Sequence, residues 1–205
     1  MSVQTEFVKN NLLVQDYFRD VQKQYIVKEK STTGKAELMV VLHNEDNLCI
    51  EDYDHSKKCN FFRDDKDLGL NKSVDHVIFQ NVSGKCVVHL IEMKTAVGAR
   101  TWFDIKQKVR TSYLNILALA ATLDIDIQKV VVYTTYNENK FDVPDTNPRA
   151  KVAPLGIKPI DPKKDEWDKN IIHINLGELR ELQHYPVLMQ RENGVLTGKL
   201  DLTTN

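Results

Sequence analysis

Two apolar runs on either side of a short polar turn constrain the fold of this chain most strongly. Residues 74–80 (VDHVIFQ) and 86–93 (CVVHLIEM) are rich in β-branched and large apolar side chains, and NVSGK lies between them. Such runs are typical of strands, and a short connection that contains Ser83 and Gly84 is typical of a hairpin turn. The sequence therefore predicts an antiparallel pair of largely buried strands.

Helical periodicity predicts a long helix on each side of this hairpin. Apolar residues spaced by three, four and seven form one stripe over residues 4–27, and residues 102–123 repeat in the same way. Further strands are predicted at 37–42, 47–53, 129–133 and 171–176. The strand at 129–133 (KVVVY) is expected to be covered on both faces. This order of elements predicts an α/β domain with a small mixed sheet flanked by helices.

The chain is 205 residues long, which fits a single domain with some elaboration. We expect a core over residues 1–136 and a C-terminal extension, 137–205, that packs on the same domain. The stretch 137–170 has five prolines and many charges, which indicates an extended excursion over the surface. The long polar stretch 54–73 interrupts the strands, and a substrate-contacting flap is one interpretation of it.

Charge and cysteine usage exclude several classes of function. The formal net charge is −1, so no global basic field attracts nucleic acid, and any such binding needs a local patch. Three dispersed cysteines form no CxxC pair, and the six histidines have no zinc-binding spacing. Neither a signal peptide nor an apolar run long enough for a bilayer is evident. We therefore expect a cytoplasmic protein that neither binds zinc nor enters a membrane.

The triplet Glu92-Met93-Lys94 closes the second strand of the hairpin. Acidic-x-Lys triplets occur elsewhere in the chain, but only this one ends a hydrophobic strand. Alternate residues of a strand share a face, so Glu92 and Lys94 should point to the side that Val88 and Leu90 occupy. A carboxylate and an ammonium at the end of a buried row are costly unless a metal or a phosphate compensates them.

Asp75 is the expected partner of Glu92 across the hairpin. If the two strands pair symmetrically about the turn, Asp75 lies opposite Glu92, and adjacent carboxylates repel unless they share a proton or a cation. Mg²⁺ prefers such oxygen ligands, and Mn²⁺ is able to substitute for it. The metal would polarise a phosphate and activate a bound water, with Lys94 assisting the attack of that water.

Asp75, sixteen intervening residues and then Glu92-x-Lys94, in αβββαβ order, resembles the PD-(D/E)XK nuclease superfamily. The resemblance covers residues 4–136 and implies a restriction-endonuclease-like fold and a metal-dependent endonuclease. It implies DNA more than RNA as substrate, a role such as restriction or phage defence, and Glu6 on the first helix as a further metal ligand. Cleavage of both strands of a duplex commonly needs two sites, which leaves a homodimer open. Val74 stands where the family name has proline.

A basic patch beside this site is a second feature of the helix at 102–123. Lys106, Lys108 and Arg110, with Arg100 just before the helix, could contact a phosphate backbone. Gln107 is expected to approach the site as well. The alternative is an ordinary solvated helix face.

Three other interpretations of the acidic pair and its lysine are possible from the sequence. Asp75, Glu92 and Lys94 could form a structural salt bridge at the strand ends. The chain could be a catalytically inactive nuclease-fold binding module. It could also be an interaction protein of a phage or mobile element, with the charged loop and the Pro-rich segment as its partner surface.

Overall fold

The computed structural model describes residues 3–13, 18–31, 34–45, 47–51, 53, 70–141 and 162–203. The expected flap at 54–73 lies outside this part of the chain except for its last four residues. Most of the Pro-rich excursion, 142–161, lies outside it too.

Three helices and thirteen strands make up the described part of the chain. The helices are α1 (Val3–Asn11), α2 (Ala99–Thr122) and α3 (Pro162–Asp168). The strands before α2 are β1 (Arg19–Val21), β2 (Gln24–Ser31), β3 (Gly34–Val41), β4 (Asn47–Ile50), β5 (His76–Val82), β6 (Lys85–Met93) and β7 (Ala96–Val97). The strands after α2 are β8 (Ile127–Tyr136), β9 (Glu138–Asn139), β10 (Ile171–Asn175), β11 (Leu179–Leu188), β12 (Gln190–Glu192) and β13 (Val195–Asp201).

A seven-stranded mixed sheet forms the centre of the fold, in the order β1-β4-β5-β6-β8-β11-β10. Strands β4, β5 and β6 run antiparallel to one another as consecutive neighbours. Helix α2 then connects β6 to β8, which lies parallel to β6. A helical crossover is the usual way to join two parallel strands, because a tight turn cannot reverse the chain direction twice.

A second, four-stranded sheet has the order β12-β13-β3-β2. Its central pair, β13 and β3, is parallel, so the end of the chain completes a sheet that begins near the start. Strands β7 and β9 form a separate two-stranded parallel pair beside the start of α2.

The seven-stranded sheet has a different cover on each face. One face packs against the helices, and its core includes Leu90 of β6, Trp102 and Ile105 of α2 and Trp167 of α3. The other face packs against the four-stranded sheet, and its core includes Leu38 of β3. The layers are therefore helix, sheet and sheet. The expectation of a small sheet flanked by helices is corrected on this point, because the second cover is a sheet.

Local patterns predicted several of these elements. The hairpin β5–β6, the helix α2 and the strand β8 are confirmed, and six consecutive residues of β8, 130–135, are buried. The helix predicted at 4–27 is wrong from Arg19 onward, because β1 and β2 lie there. Val21 ends β1, whereas Tyr25 and Val27 lie two residues apart in β2, a spacing that fits one face of a strand.

The C-terminal part of the chain contributes strands to both large sheets. Strand β11 lies parallel to β8 in the first sheet, and β13 lies parallel to β3 in the second. Within the described residues, no helix is both long enough and apolar enough to cross a membrane.

Candidate active site

Asp75 and Glu92 meet at the open end of the β5–β6 hairpin. His76 pairs with Ile91 in this hairpin, so the same register places Asp75 opposite Glu92. The Met93 backbone N–H donates a hydrogen bond of 2.6 Å to Asp75 Oδ2, which holds this carboxylate against β6. Glu92 lies on the face of β6 that Val88 and Leu90 share, and this face packs against the helices. Both carboxylates therefore face α2.

Lys94 follows β6 directly and extends back to the carboxylate of Glu92. Its ammonium forms an ion pair with Glu92 Oε1 and donates a hydrogen bond of 3.1 Å to the carbonyl oxygen of Met93. The backbone of Lys94 is held by Thr135 of β8, whose hydroxyl accepts a 3.1 Å hydrogen bond from its N–H. The neighbouring parallel strand thus fixes the position of the lysine.

Lys108 of α2 is the third charged partner of this carboxylate pair. Its ammonium lies 3.2 Å from Asp75 Oδ1 and 2.8 Å from Glu92 Oε1. The same cation therefore contacts both carboxylates, whereas Lys94 contacts only Glu92. The Glu92 side chain is 0% exposed, and that of Lys108 is 20% exposed. Glu92 is thus enclosed between the sheet and α2, and two ammonium groups approach one of its oxygens.

Burial determines the protonation behaviour of Glu92. Burial and the adjacent Asp75 carboxylate raise the pKa of Glu92 to about 7, against the lowering effect of Lys94 and Lys108. For Lys108, burial lowers the pKa, but the attraction of Glu92 and Asp75 outweighs it and holds the pKa above its usual range. The ammoniums of Lys94 and Lys108 therefore offset only part of the free-energy cost of ionising the buried Glu92 carboxyl.

The donor atoms at this site fit one divalent cation. Among the described residues, Glu92 Oε2 is buried and accepts no hydrogen bond. A buried carboxylate oxygen without a donor is costly, and a metal ion would satisfy it. Asp75, with a side chain that is 14% exposed, gives the site an opening. In the described ranges, no group of three or more His, Cys, Asp or Glu side chains is placed so that it could hold a metal ion.

Glu6, expected as a further ligand, is an exposed residue on α1. Its carboxylate accepts a hydrogen bond of 3.5 Å from Asn10 one turn further along the same helix. Since no described acidic side chain joins Asp75 and Glu92 as a third ligand, Glu6 does not complete a three-carboxylate site in this structure. Any remaining ligands of an ion would have to be water, backbone carbonyl or substrate oxygens.

The predicted basic patch on α2 is divided by the structure. Lys106 pairs with Glu166 of α3 at 2.7 Å, away from the carboxylates. Gln107 accepts a hydrogen bond of 2.8 Å from Lys72, and Lys72 also binds Asp104. Arg100 is exposed at the start of the helix, and Arg110 is half-buried.

Lys108 belongs to the site, although its charge places it in the predicted basic patch. It lies three residues after Ile105 and four before Ser112, both of which are buried. Residues at these spacings share a helix face, so the pattern already placed Lys108 at the edge of the buried stripe. The charge of Lys108 predicts a solvent-exposed position, whereas its helical spacing predicts the partly buried position that the structure shows.

The site can therefore hold one divalent cation between two acidic side chains, or it can persist as a closed cluster of two acids and two lysines. The Lys94 side chain is 27% exposed, so its ammonium would also be able to contact an anionic ligand such as a phosphate. No protein-family model, curated protein or solved structure matches this chain.

Proposed function

We propose that this chain is a Mg²⁺-dependent endonuclease that hydrolyses phosphodiester bonds, in DNA more than in RNA. The observation that carries the proposal is that Asp75 and Glu92 lie close enough to contact one ammonium, that of Lys108, with Lys94 beside them. A buried glutamate whose second oxygen has no donor is a costly feature in a purely structural site. Such costs are common where a site serves binding or catalysis.

The order of elements around the site also supports the proposal. Three antiparallel strands, β4 to β6, are followed by α2 and by β8 parallel to β6. The resemblance to PD-(D/E)XK nucleases rests on an αβββαβ order of elements, and these strands and helix have the order βββαβ. Asp75 and Glu92 lie at the open end of the β5–β6 hairpin within it. We propose on this basis a restriction-endonuclease-like core, extended by the C-terminal strands and covered on one face by a second sheet.

In this proposal each side chain has a separate role. Asp75 and Glu92 hold the metal, and the Met93 N–H keeps Asp75 in place. When bound, Mg²⁺ supplies the positive charge that polarises the scissile phosphate. Lys94, anchored through Thr135, directs its ammonium at the attacking water or at the negative charge that develops on the phosphate oxygens. The water oxygen bonds to phosphorus as the bond to the leaving oxygen breaks.

The surface of α2 beside the site offers contacts for a nucleic-acid backbone. Arg100 and Phe103 are exposed near the start of the helix, and the Lys163 ammonium lies 5.7 Å from the centre of the Phe103 ring. Cations bind phosphates without regard to sequence, and an exposed ring can stack on a base. For a duplex substrate we propose that two copies of the chain act together, one for each strand.

A cleavage panel tests this proposal directly. Single-stranded, duplex and branched DNA, together with RNA, are incubated with the full chain in Mg²⁺, Mn²⁺ or EDTA. We expect cleavage with either metal, none in EDTA, and a loss of at least about a hundredfold in Lys94→Ala. Lys85→Ala, at the exposed other end of β6, is the matched control and should cleave normally. Cleavage that persists in EDTA, or at full rate in Lys94→Ala, would refute the mechanism.

A nuclease-fold binding module without catalysis is the second candidate. The observation that favours it is the charge balance of the site, since two carboxylates already contact two ammoniums. Calorimetric titration with Mn²⁺ separates the two functions. Heat of binding that disappears in Asp75→Ala supports the nuclease, whereas no binding by the natural chain supports the module.

A further inference from the structure

Lys108 lies where a metal ion bound by Asp75 and Glu92 would lie, which bears on how the site binds its metal. The inference drawn from this position rests on the proposed function. A cation ligated by Asp75 and Glu92 must lie between their facing oxygens. The Lys108 ammonium occupies this position, 3.2 Å from Asp75 Oδ1 and 2.8 Å from Glu92 Oε1. Lys94 contacts the same Glu92 oxygen and the Met93 carbonyl, but among the described ion pairs only Lys108 bridges the two carboxylates.

Charge repulsion prevents a metal ion from simply joining this cluster. Two carboxylates and two ammoniums are balanced, and a divalent ion placed among them would leave a partly buried excess of positive charge. Like charges at contact distance repel strongly where little water screens them. If the lysine moves away instead, the same ion faces one fewer positive charge, and both carboxylates become available as ligands.

We propose that Lys108 is a tethered cation that excludes the metal until it is displaced, so that Lys108 and Mg²⁺ occupy the carboxylate pair alternately. In the absence of metal, Lys108 keeps Asp75 and Glu92 together. In its presence, the ammonium leaves the pair and the two carboxylates close on the ion. Lys108 is thus a positioning residue, and the affinity of the site for metal is lower than that of the bare carboxylate pair.

The structure offers the displaced ammonium another partner. Asp104 lies four residues before Lys108 on α2, and residues at this spacing are neighbours on a helix surface. The Asp104 carboxylate is about half exposed and binds Lys72 at 3.0 Å through one of its two oxygens. The Lys108 side chain is itself 20% exposed, so its ammonium is not sealed inside the protein.

Mn²⁺ titration of the full chain, without nucleic acid, tests the exchange. Lys108→Met keeps the length of the side chain but removes the charge, and we expect Mn²⁺ to bind at least about tenfold more tightly. Lys106→Met is the matched control, because it removes an equal charge from the same helix but one that pairs with Glu166. Its affinity for Mn²⁺ should equal that of the natural chain.

Asp104→Asn gives an independent result if Lys108→Met does not fold. This exposed substitution removes the alternative partner of the ammonium, so Mn²⁺ should bind about two- to fivefold more weakly. The exchange would be overturned if folded Lys108→Met bound Mn²⁺ no more tightly than the natural chain does. If Lys108→Met is unfolded, it would be overturned if Asp104→Asn bound Mn²⁺ as tightly as the natural chain does. Tighter binding by Lys108→Met without cleavage of any nucleic acid would leave the exchange in place and refute the nuclease instead.

Discussion

Replacing Glu92 by glutamine should make the metal-free protein more stable at alkaline pH, although it removes two ion pairs. Burial and Asp75 raise the pKa of Glu92 in the folded protein to about 7, from an ordinary value of 4.5. A group whose pKa is raised on folding stabilises the native state below its unfolded pKa, and this stabilisation is lost as the pH rises through the folded value. The loss approaches about 3 kcal/mol when the carboxyl is fully ionised.

Glu92→Gln has no carboxyl at this position, so its stability does not fall in this way as the pH rises. At pH 5 the carboxyl of the natural protein is largely protonated when folded and resembles an amide, so the two proteins should be similar in stability. Between pH 5 and pH 8 the difference in free energy of unfolding should shift by about 2–3 kcal/mol in favour of Glu92→Gln. Added Mn²⁺ should stabilise the natural protein selectively, because its ligand is intact.

Urea denaturation in EDTA at several pH values measures this shift. Groups that titrate elsewhere in the molecule cancel when the two proteins are compared. Ser112→Ala is the control, since it alters a buried hydrogen bond but no ionisable group. Its difference from the natural protein should be the same at each pH. The reasoning would fail if the difference in free energy of unfolding between Glu92→Gln and the natural protein stayed constant within about 0.5 kcal/mol over this pH range. Such a result would show that the two ammoniums offset the cost of burying the ionised Glu92 carboxylate fully.

Three further predictions concern the framework around the site. Ser112→Ala removes the hydroxyl that accepts the Val74 N–H at 3.0 Å, so urea denaturation should show a loss of about 1–3 kcal/mol. Gly198→Ala places a methyl group against the sulfur of buried Met189, and thermal unfolding should show a loss of about 1–3 kcal/mol; an unchanged midpoint would contradict this contact. Burial lowers the pKa of His184 to about 3, so the native state loses stability as the pH falls below the ordinary value of 6.5. His184→Gln should reduce this acid-dependent loss by about 3 kcal/mol between pH 7 and pH 4, and an identical acid profile would show that the ring is not buried in its neutral form.

Sequence patterns predicted the hairpin and its register because both depend on neighbouring residues. The two apolar runs and the turn at Ser83 and Gly84 set how many residues separate the paired positions. Asp75 therefore falls opposite Glu92 by counting alone, and the observed pairing of His76 with Ile91 has the same register. Helix α2 was predictable for a similar reason, since its apolar stripe repeats over many turns.

The start of the chain shows where such patterns are ambiguous. Val21 and Tyr25 are four residues apart, which fits a helix, yet in the structure they belong to two different strands, β1 and β2. Tertiary packing decides between them, because Val21 and Val27 pack in the core between the two sheets. Strand β2 gains its hydrogen bonds from β3, a partner that a helix would not need.

The β5–β6 hairpin, the helix that follows it and the facing positions of Asp75 and Glu92 all follow from local repeats, so the residue pattern is enough to predict them. The second sheet that covers one face depends on long-range pairing, because β13 and β3 come from distant parts of the chain and meet in the folded protein. The contact of Lys108 with both carboxylates depends on packing in the same way. The rotation of α2 about its axis follows from the packing of its whole buried face against the sheet, and it places this one cation between the two acids.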